Sequence, residues 1–85
     1  MSKAGLTLDL HAVAQQGNAI EIALHQAMHQ ATDTRIKILE IIPGKGSGQL
    51  MIRVKKFLKR REHRLQYKRI EVDEHNHGRL FVHFR

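Results

Sequence analysis

The chain has 85 residues and a formal net charge of +7, with 15 lysines and arginines against eight acidic residues. A chain of this length forms one domain that buries about two-thirds of its unfolded surface, which excludes a multidomain enzyme. It has no cysteine, no apolar run long enough to span a membrane and no signal-peptide pattern. These absences exclude a disulfide scaffold and a membrane protein, and they predict a cytoplasmic domain.

The first structural segment is predicted to be a strand followed by a capped helix. Residues 1–5 are expected to be a flexible lead-in to a single domain over residues 6–85. Apolar and polar residues alternate from Leu6 to His11, which is typical of a half-buried strand. Asn18 and Glu21 then have the spacing of a capping box. The helix after them repeats apolar residues on one face, which should be buried in the core: Ile20, Ala23, Leu24, Ala27, Met28 and Ala31.

A second strand, predicted over residues 35–42, leads into a glycine-rich loop. Its isoleucines and leucines are nearly continuous, which indicates a strand covered on both faces. After Pro43 the loop consists of Gly44, Lys45, Gly46, Ser47 and Gly48. Glycines permit positive φ and close approach of a ligand to the backbone, and the first amides of the next helix favour an anion. With the charge of Lys45, the loop predicts a phosphate site for nucleic acid.

The better-known nucleotide motifs do not fit this loop. It lacks the spacing of the dinucleotide fingerprint, and it contains no Gly-Lys-Ser/Thr triplet of a Walker A loop. An ATPase or a dehydrogenase is therefore not expected, and no nucleotide cofactor is predicted.

A second helix after the loop carries most of the positive charge. Its predicted core face consists of Leu50, Met51, Val54, Phe57 and Leu58. Basic residues crowd the segment between Arg53 and Arg69, interrupted by one acid, Glu62. Such a stripe predicts a surface that follows nucleic-acid phosphates, and the alternative is a solvated helix face. The residues expected to bind nucleic acid are the loop residues Gly44, Lys45, Gly46, Ser47 and Gly48 together with Arg53, Lys56, Lys59 and Arg60.

The chain is predicted to finish with an antiparallel hairpin. Residues 65–72 and 79–84 read as strands, joined by a polar turn over residues 73–78. The element order is therefore β-α-β-α-β-β. Tyr67 is the aromatic residue to consider for base stacking, and the alternative for it is packing within its strand.

Two histidine pairs have spacings that can bind a metal. His25 and His29 lie four apart on the first helix without a thiolate or carboxylate nearby, and His75 and His77 alternate in the hairpin turn. Both pairs are predicted to be exposed surface residues, so no metal site is predicted.

Catalytic groups are expected where the first two strands end. If these strands are parallel, their carboxyl ends share one sheet edge, which would bring Asp9, His11 and Lys45 together. His11 could act as general base toward water or a ribose 2′-hydroxyl, and Asp9 could orient the imidazole or hold a divalent cation. Lys45 could stabilise charge on phosphorus. The alternative is that Asp9 and His11 only bond to the neighbouring backbone.

The tetrad Leu8-Asp9-Leu10-His11, the loop from Ile41 to Leu50 and the strand introduced by Gly78 resemble the Smr domain, the small MutS-related module, over about residues 6–84. The resemblance implies an α/β fold, a compact two-layer α/β sandwich with a four-stranded mixed sheet. It also implies DNA or RNA binding and, in several members, nicking endonuclease activity. Asp9 and His11 match the functional pair of the family.

Two positions depart from the family pattern. Pro43 stands where Smr loops usually have histidine or threonine, and Ala12 stands where glycine is frequent. Proline offers no side-chain hydrogen bond and no amide donor, which affects cleavage more than binding. Two functions stay open: an endonuclease that hydrolyses phosphodiester bonds in DNA or RNA, with Mg or Mn as the cation it would use, or a non-catalytic nucleic-acid-binding or adaptor module.

Overall fold

The computed structural model describes residues 5–12, 18–43, 48–73 and 78–84. Its strands are β1 (Leu6–Asp9), β2 (Ile38–Ile42), β3 (Arg69–Val72) and β4 (Leu80–His83). Its helices are α1 (Ala19–Asp33), α2 (Gln49–Lys59) and α3 (Arg61–Arg64), and a 3-10 helix follows β1 at Leu10–Ala12. In the described ranges, no helix has the length and apolar character needed to cross a membrane.

The four strands form one mixed sheet in the order β1-β2-β4-β3. β1 and β2 are parallel, and β4 is antiparallel to both of its neighbours. The predicted parallel pair, the predicted hairpin and the β-α-β-α-β-β order are therefore confirmed. The carboxyl ends of β1 and β2 meet at the same edge, where Asp9 is in register with Ile42.

The helices cover one face of the sheet and bury the core against it. The two central strands and the two long helices supply most of the fully buried residues of this core: Leu39, Ile41, Leu80 and Val82 from β2 and β4, and Ile20, Leu24, Met28, Val54, Phe57 and Leu58 from α1 and α2. The apolar faces predicted for both helices are confirmed. Because α1 and α2 lie on the same side, the domain is a two-layer α/β sandwich.

The other face of the sheet carries a polar network centred on Glu40. The Glu40 carboxylate accepts hydrogen bonds from Thr7 Oγ1 at 3.1 Å and from the Arg79 guanidinium at 3.0 Å. Arg79 also donates to Asp73 Oδ2 at 2.6 Å, and these bonds raise the pKa of Arg79. All three central residues of β2 are buried, as the apolar run predicts, but the central residue on this face is the charged Glu40, which lies opposite the buried Phe81.

Three strand boundaries differ from the predicted ones by more than one residue, and β4 is one residue shorter than predicted at each end. β1 ends at Asp9, before His11, because the chain turns into the 3-10 helix there. β2 begins at Ile38, since Arg35 has a φ of +58°, a left-handed conformation that interrupts an extended run. The third strand begins at Arg69 and not at Leu65, because residues 61–64 form α3 and Leu65 lies 87% exposed in the turn after it.

The start of α1 is where the capping-box pattern predicts it, but the capping box itself is absent. Asn18 is the N-cap residue and its side chain makes no capping hydrogen bond. Glu21 pairs instead with Arg60, with 2.6 Å between Oε1 and the guanidinium nitrogen. A charged partner at the end of α2 thus replaces a local backbone partner, and the pair ties the two helices together.

Several predictions concern segments outside the described residues. These are residues 1–4 of the expected lead-in, residues 44–47 of the glycine-rich loop and the turn that contains His75 and His77. Gly5, the last residue of the expected lead-in, already donates a 2.9 Å hydrogen bond to the backbone oxygen of Ile38 and so belongs to the sheet.

Candidate nucleic-acid interface

Asp9 and His11 form an exposed carboxylate–imidazole pair at the end of β1. Asp9 Oδ1 accepts a 2.9 Å hydrogen bond from the backbone amide of His11 and lies 3.5 Å from His11 Nδ1. Leu10 between them is completely buried, so it anchors the turn while its two neighbours face solvent. The backbone bond predicted as the alternative is therefore made, and the two side chains are also close enough to act together.

This pair lies beside the strand that enters the glycine-rich loop. Asp9 is in register with Ile42, which is followed by the buried Pro43 and then by residues 44–47. Gly44, Lys45, Gly46 and Ser47 lie outside the described residues, so their predicted roles stay predictions. The register of the two strands therefore brings Ile42, and with it Pro43 just before the loop, to the edge that carries Asp9.

Gly48, the first described residue after the loop segment, is the N-cap residue of α2. Gly48 has a φ of +83°, and its carbonyl accepts the first helical hydrogen bond from the amide of Ile52. The amides of the first turn have no partner inside a helix, and no acidic residue in the first turn of α2 compensates the positive end of its dipole. This end of α2 therefore has the positive charge that favours a phosphate, and its first amides are donors that the helix itself does not use.

The four basic residues predicted to bind nucleic acid are all exposed, but they lie on two flanks of α2. Arg53, Lys56 and Arg60 line a groove between α2 and the start of α1, together with Glu21. Arg60 is already paired with Glu21, whereas no described acidic residue pairs with Arg53 or Lys56. Arg53 and Lys56 therefore have no acidic partner among the described residues, whereas the charge of Arg60 is largely compensated by Glu21.

Lys59 lies on the other flank, in a second groove. Its neighbours there are Arg64, Tyr67, Lys68 and Ile70. The Tyr67 hydroxyl donates a 2.7 Å hydrogen bond to the backbone oxygen of Leu58, and burial raises the pKa of Tyr67. Arg64 and Lys68 belong to the basic stripe that the sequence shows. Their position beside Tyr67 depends on the break between α2 and α3, which the pattern of apolar residues does not predict.

His63 is a buried residue that the sequence patterns miss. It is 2% exposed, its ring stacks on Phe57 with 4.0 Å between centroids, and it contacts the edge of His25 at 4.8 Å. Neither ring nitrogen has a hydrogen-bond partner among the described residues. Burial, followed by the nearby His25, lowers the pKa of His63. Because the residue follows the break at Arg60, helical periodicity continued from α2 could not place it in the core.

The described residues do not assemble a set of metal ligands. No three of their histidine, aspartate or glutamate side chains converge on a point that could hold an ion. His25 contacts Phe57 and His63 instead of pairing with His29. At the candidate site Asp9 contributes a single carboxylate, which does not by itself fit a resident divalent cation.

The comparisons with known proteins agree with the sequence signatures. The family model described as the Smr domain matches residues 8–85. The fold is similar to the crystal structure of the Smr domain of Thermus thermophilus MutS2, with a TM-score of 0.75 and 21% sequence identity over 93% of this chain and 96% of that one. No curated protein matches the chain. Because the family model covers nearly the whole sequence, including both signature segments, the chain belongs to the Smr domain family.

Proposed function

We propose that the chain binds DNA or RNA through the glycine-rich loop, the amino terminus of α2 and the basic face of that helix, and that Asp9 and His11 promote hydrolysis of a phosphodiester bond. The observation that carries this proposal is the register of Asp9 with Ile42. It sets an exposed carboxylate–imidazole pair beside the strand that leads to an uncompensated helix amino terminus.

The proposed reaction uses the chain's own groups. His11 takes the proton of an attacking water or 2′-hydroxyl, whose oxygen forms a bond to phosphorus. The bond between phosphorus and the leaving oxygen breaks, and that oxygen takes a proton from solvent. Asp9, 3.5 Å from His11 Nδ1, stabilises the imidazolium. Lys45 and the first amides of α2 stabilise the charge that develops on the phosphate oxygens.

A binding module without cleavage is the second candidate function. Two observations favour it: Asp9 Oδ1 is already bonded to the backbone amide of His11, and Pro43 supplies neither an amide donor nor a polar side chain at the start of the loop. In this candidate the same surface holds phosphates, and Arg53 and Lys56 contribute to affinity for all sequences alike.

Cleavage and binding by four single variants separate the two candidates. Asp9→Asn and His11→Gln remove the charge and the base at the site, while Asp33→Asn and His29→Gln make the same changes at exposed positions near the end of α1. The substrates are end-labelled single-stranded RNA, single-stranded DNA and supercoiled plasmid, each with chelator, Mg²⁺ or Mn²⁺. Binding is measured on the same samples by gel shift.

For an endonuclease we expect His11→Gln to lower the cleavage rate by about 10²-fold or more, because general-base catalysis contributes that much. Asp9→Asn should also lower the rate, and both variants should still shift the substrate. The two control variants should cut like the parent. Cleavage that is equal in all five proteins would overturn the roles of Asp9 and His11, and a shift without any variant-sensitive product would establish the binding module.

A further inference from the structure

The residues that line the groove between α2, α3 and β3 take no part in the candidate cleavage site. Three cationic side chains, Lys59, Arg64 and Lys68, line it together with Tyr67 and the edge-strand residue Ile70. All three cations are exposed, and none of them forms an ion pair with an acidic residue of the described ranges. The groove is thus a concentration of uncompensated positive charge around one aromatic ring.

Tyr67 is held in a fixed position in this groove. Its hydroxyl bonds to the backbone oxygen of Leu58 at 2.7 Å, and its side chain packs against the edge of the core. The residue is half-buried and lines the groove. A ring that is fixed at its polar end and partly exposed can stack a planar group with little loss of side-chain freedom.

The groove lies at the opposite end of the sheet from Asp9. Arg69, which follows Lys68, is in register with His83, and His83 is in register with Ile38 at the beginning of β2. Asp9 is in register with Ile42 at the other end of that strand. α2 connects the two ends, and its 11 residues span about 16 Å at the usual rise per residue.

We propose that this groove is a second nucleic-acid subsite, which binds one or two nucleotides of a single strand with phosphates on Lys59, Arg64 and Lys68 and a base stacked on Tyr67. The inference rests on the proposed nucleic-acid binding and extends it, because a strand that starts at the glycine-rich loop and follows α2 ends in this groove. A single strand fits the groove better than a duplex, since the bases of a duplex are stacked on each other and cannot present a face to Tyr67.

The chain offers three matched pairs of basic residues for a test, each with one arginine and one lysine. Arg64→Gln with Lys68→Gln removes two charges from the groove, and Arg53→Gln with Lys56→Gln removes two from the other flank of α2. Arg35→Gln with Lys37→Gln removes two exposed charges between α1 and β2. All three double variants have the same net charge, so differences between them report position and not total charge.

Affinity for a labelled deoxythymidine strand of about 20 nucleotides, longer than common site sizes, is measured by fluorescence anisotropy across a salt series. We expect the groove pair to reduce the magnitude of the slope of log affinity against log salt by about 1.4, since each phosphate contact on a single strand contributes about 0.7. The Arg35 and Lys37 pair should keep the slope of the parent. A groove pair that matches this control would overturn the inference.

Stacking is tested separately with Tyr67→Leu and Tyr67→Phe. Both changes remove the hydroxyl bond to Leu58, but only leucine removes the ring. The probes are the deoxythymidine strand and an abasic strand with the same number of phosphates. We expect leucine to weaken binding of the strand with bases by at least about fivefold and to leave the abasic strand unchanged, while phenylalanine keeps the parent's preference for bases. Equal losses on both strands would overturn the stacking role.

The outcomes distinguish this inference from the proposed function. If the Arg53 and Lys56 pair weakens binding and the groove variants do not, nucleic-acid binding stands and the second subsite is wrong. If the parent binds neither strand in a salt-dependent way, both the proposed function and the second subsite are wrong.

Discussion

At the scale of single residues, His63 is a polar side chain buried in apolar and aromatic surroundings. Its ring lies between Phe57 and His25, and both nitrogens are buried without a hydrogen-bond partner in the described part of the chain. Burying such groups costs free energy, and burying them charged costs more. The ring therefore packs as a neutral aromatic side chain, and it fixes α3 against the core through Phe57. The ionisable groups around it are His25 and Glu21 from α1, Arg60 from the break between α2 and α3, and Glu62 from α3 itself.

We predict that protonation of His63 makes the domain less stable in acid. Burial and the charge of His25 lower the pKa of His63 below its ordinary value of 6.5, so the unfolded chain binds this proton more tightly than the folded one. The contribution of His63 to the free energy of unfolding is therefore complete above pH 6.5 and falls as the pH drops from 6.5 toward the lowered pKa. Each tenfold loss of proton affinity on folding corresponds to about 1.4 kcal/mol.

Urea unfolding of the parent, His63→Phe and His29→Phe between pH 7.5 and pH 5 would measure this contribution. We expect His63→Phe to unfold with a weaker dependence on pH than the parent, because phenylalanine keeps the stacked ring and takes up no proton. His29→Phe alters an exposed histidine and should keep the parent's dependence. Identical pH profiles for the parent and His63→Phe would show that His63 is not the group responsible.

At the scale of elements, the backbone conformation of Gly48 sets how α2 begins. Gly48 has a φ of +83°, and a Cβ added there would meet no atom of the described residues within 4 Å. Among these residues nothing blocks a side chain, so the left-handed backbone conformation is the constraint that opposes one. The same helix ends at Arg60, whose extended conformation with a ψ of 143° separates α2 from α3 and opens the groove that contains Tyr67.

We predict that Gly48→Ala destabilises the domain by about 1–2 kcal/mol, which is the usual cost of the left-handed conformation for a residue with a Cβ. For a domain of this size each 1 kcal/mol lowers the melting temperature by about 4–8 °C. Gly48→Asn is the matched variant, and it should cost less because asparagine tolerates this conformation better. Thermal unfolding of the two variants measures the difference, and an equal cost would mean that φ at this position is not the constraint.

At the scale of the whole molecule, the positive and negative charges are used differently on the two sides of the sheet. On the face of the sheet opposite the helices, the acidic residues form ion pairs: Glu40 and Asp73 with Arg79, and Glu71 with His83 at 2.8 Å. On the helical side, Arg53, Lys56, Lys59, Arg64 and Lys68 form no ion pair with an acid that the structure describes. The helical side therefore carries five positive charges that no described acidic residue compensates.

We predict a strong salt dependence of duplex binding from this distribution. If about five phosphates of a DNA duplex are neutralised, log affinity should fall with log salt at a slope of about −4.5. Arg53→Gln with Lys56→Gln should reduce the magnitude of that slope by about 1.8, whereas Arg35→Gln with Lys37→Gln should not change it. Anisotropy titrations on one duplex across salt concentrations give all three slopes, and a slope near zero for the parent would contradict phosphate binding.

Local patterns in the sequence determined the parts of this domain that depend on neighbours along the chain. Alternation from Leu6 and helical spacing from Ile20 and Leu50 determined which faces are buried, because burial in a strand or helix follows a fixed period. The glycines and Pro43 determined where β2 ends, and the two signature segments determined the family. The parallel pairing of β1 and β2 also followed, since two strands joined by a helix have few other arrangements.

Only the tertiary structure decided which side chains meet across the fold. The capping box at Asn18 fails because Arg60, distant in sequence, offers Glu21 a charged partner. His63 is buried because Arg60 breaks the helix after Lys59 and redirects the chain, and the same break brings Arg64 and Lys68 beside Lys59 and Tyr67. These outcomes depend on competition between local and distant partners for the same polar groups. That competition is settled by packing of the complete core, which no window of the sequence contains.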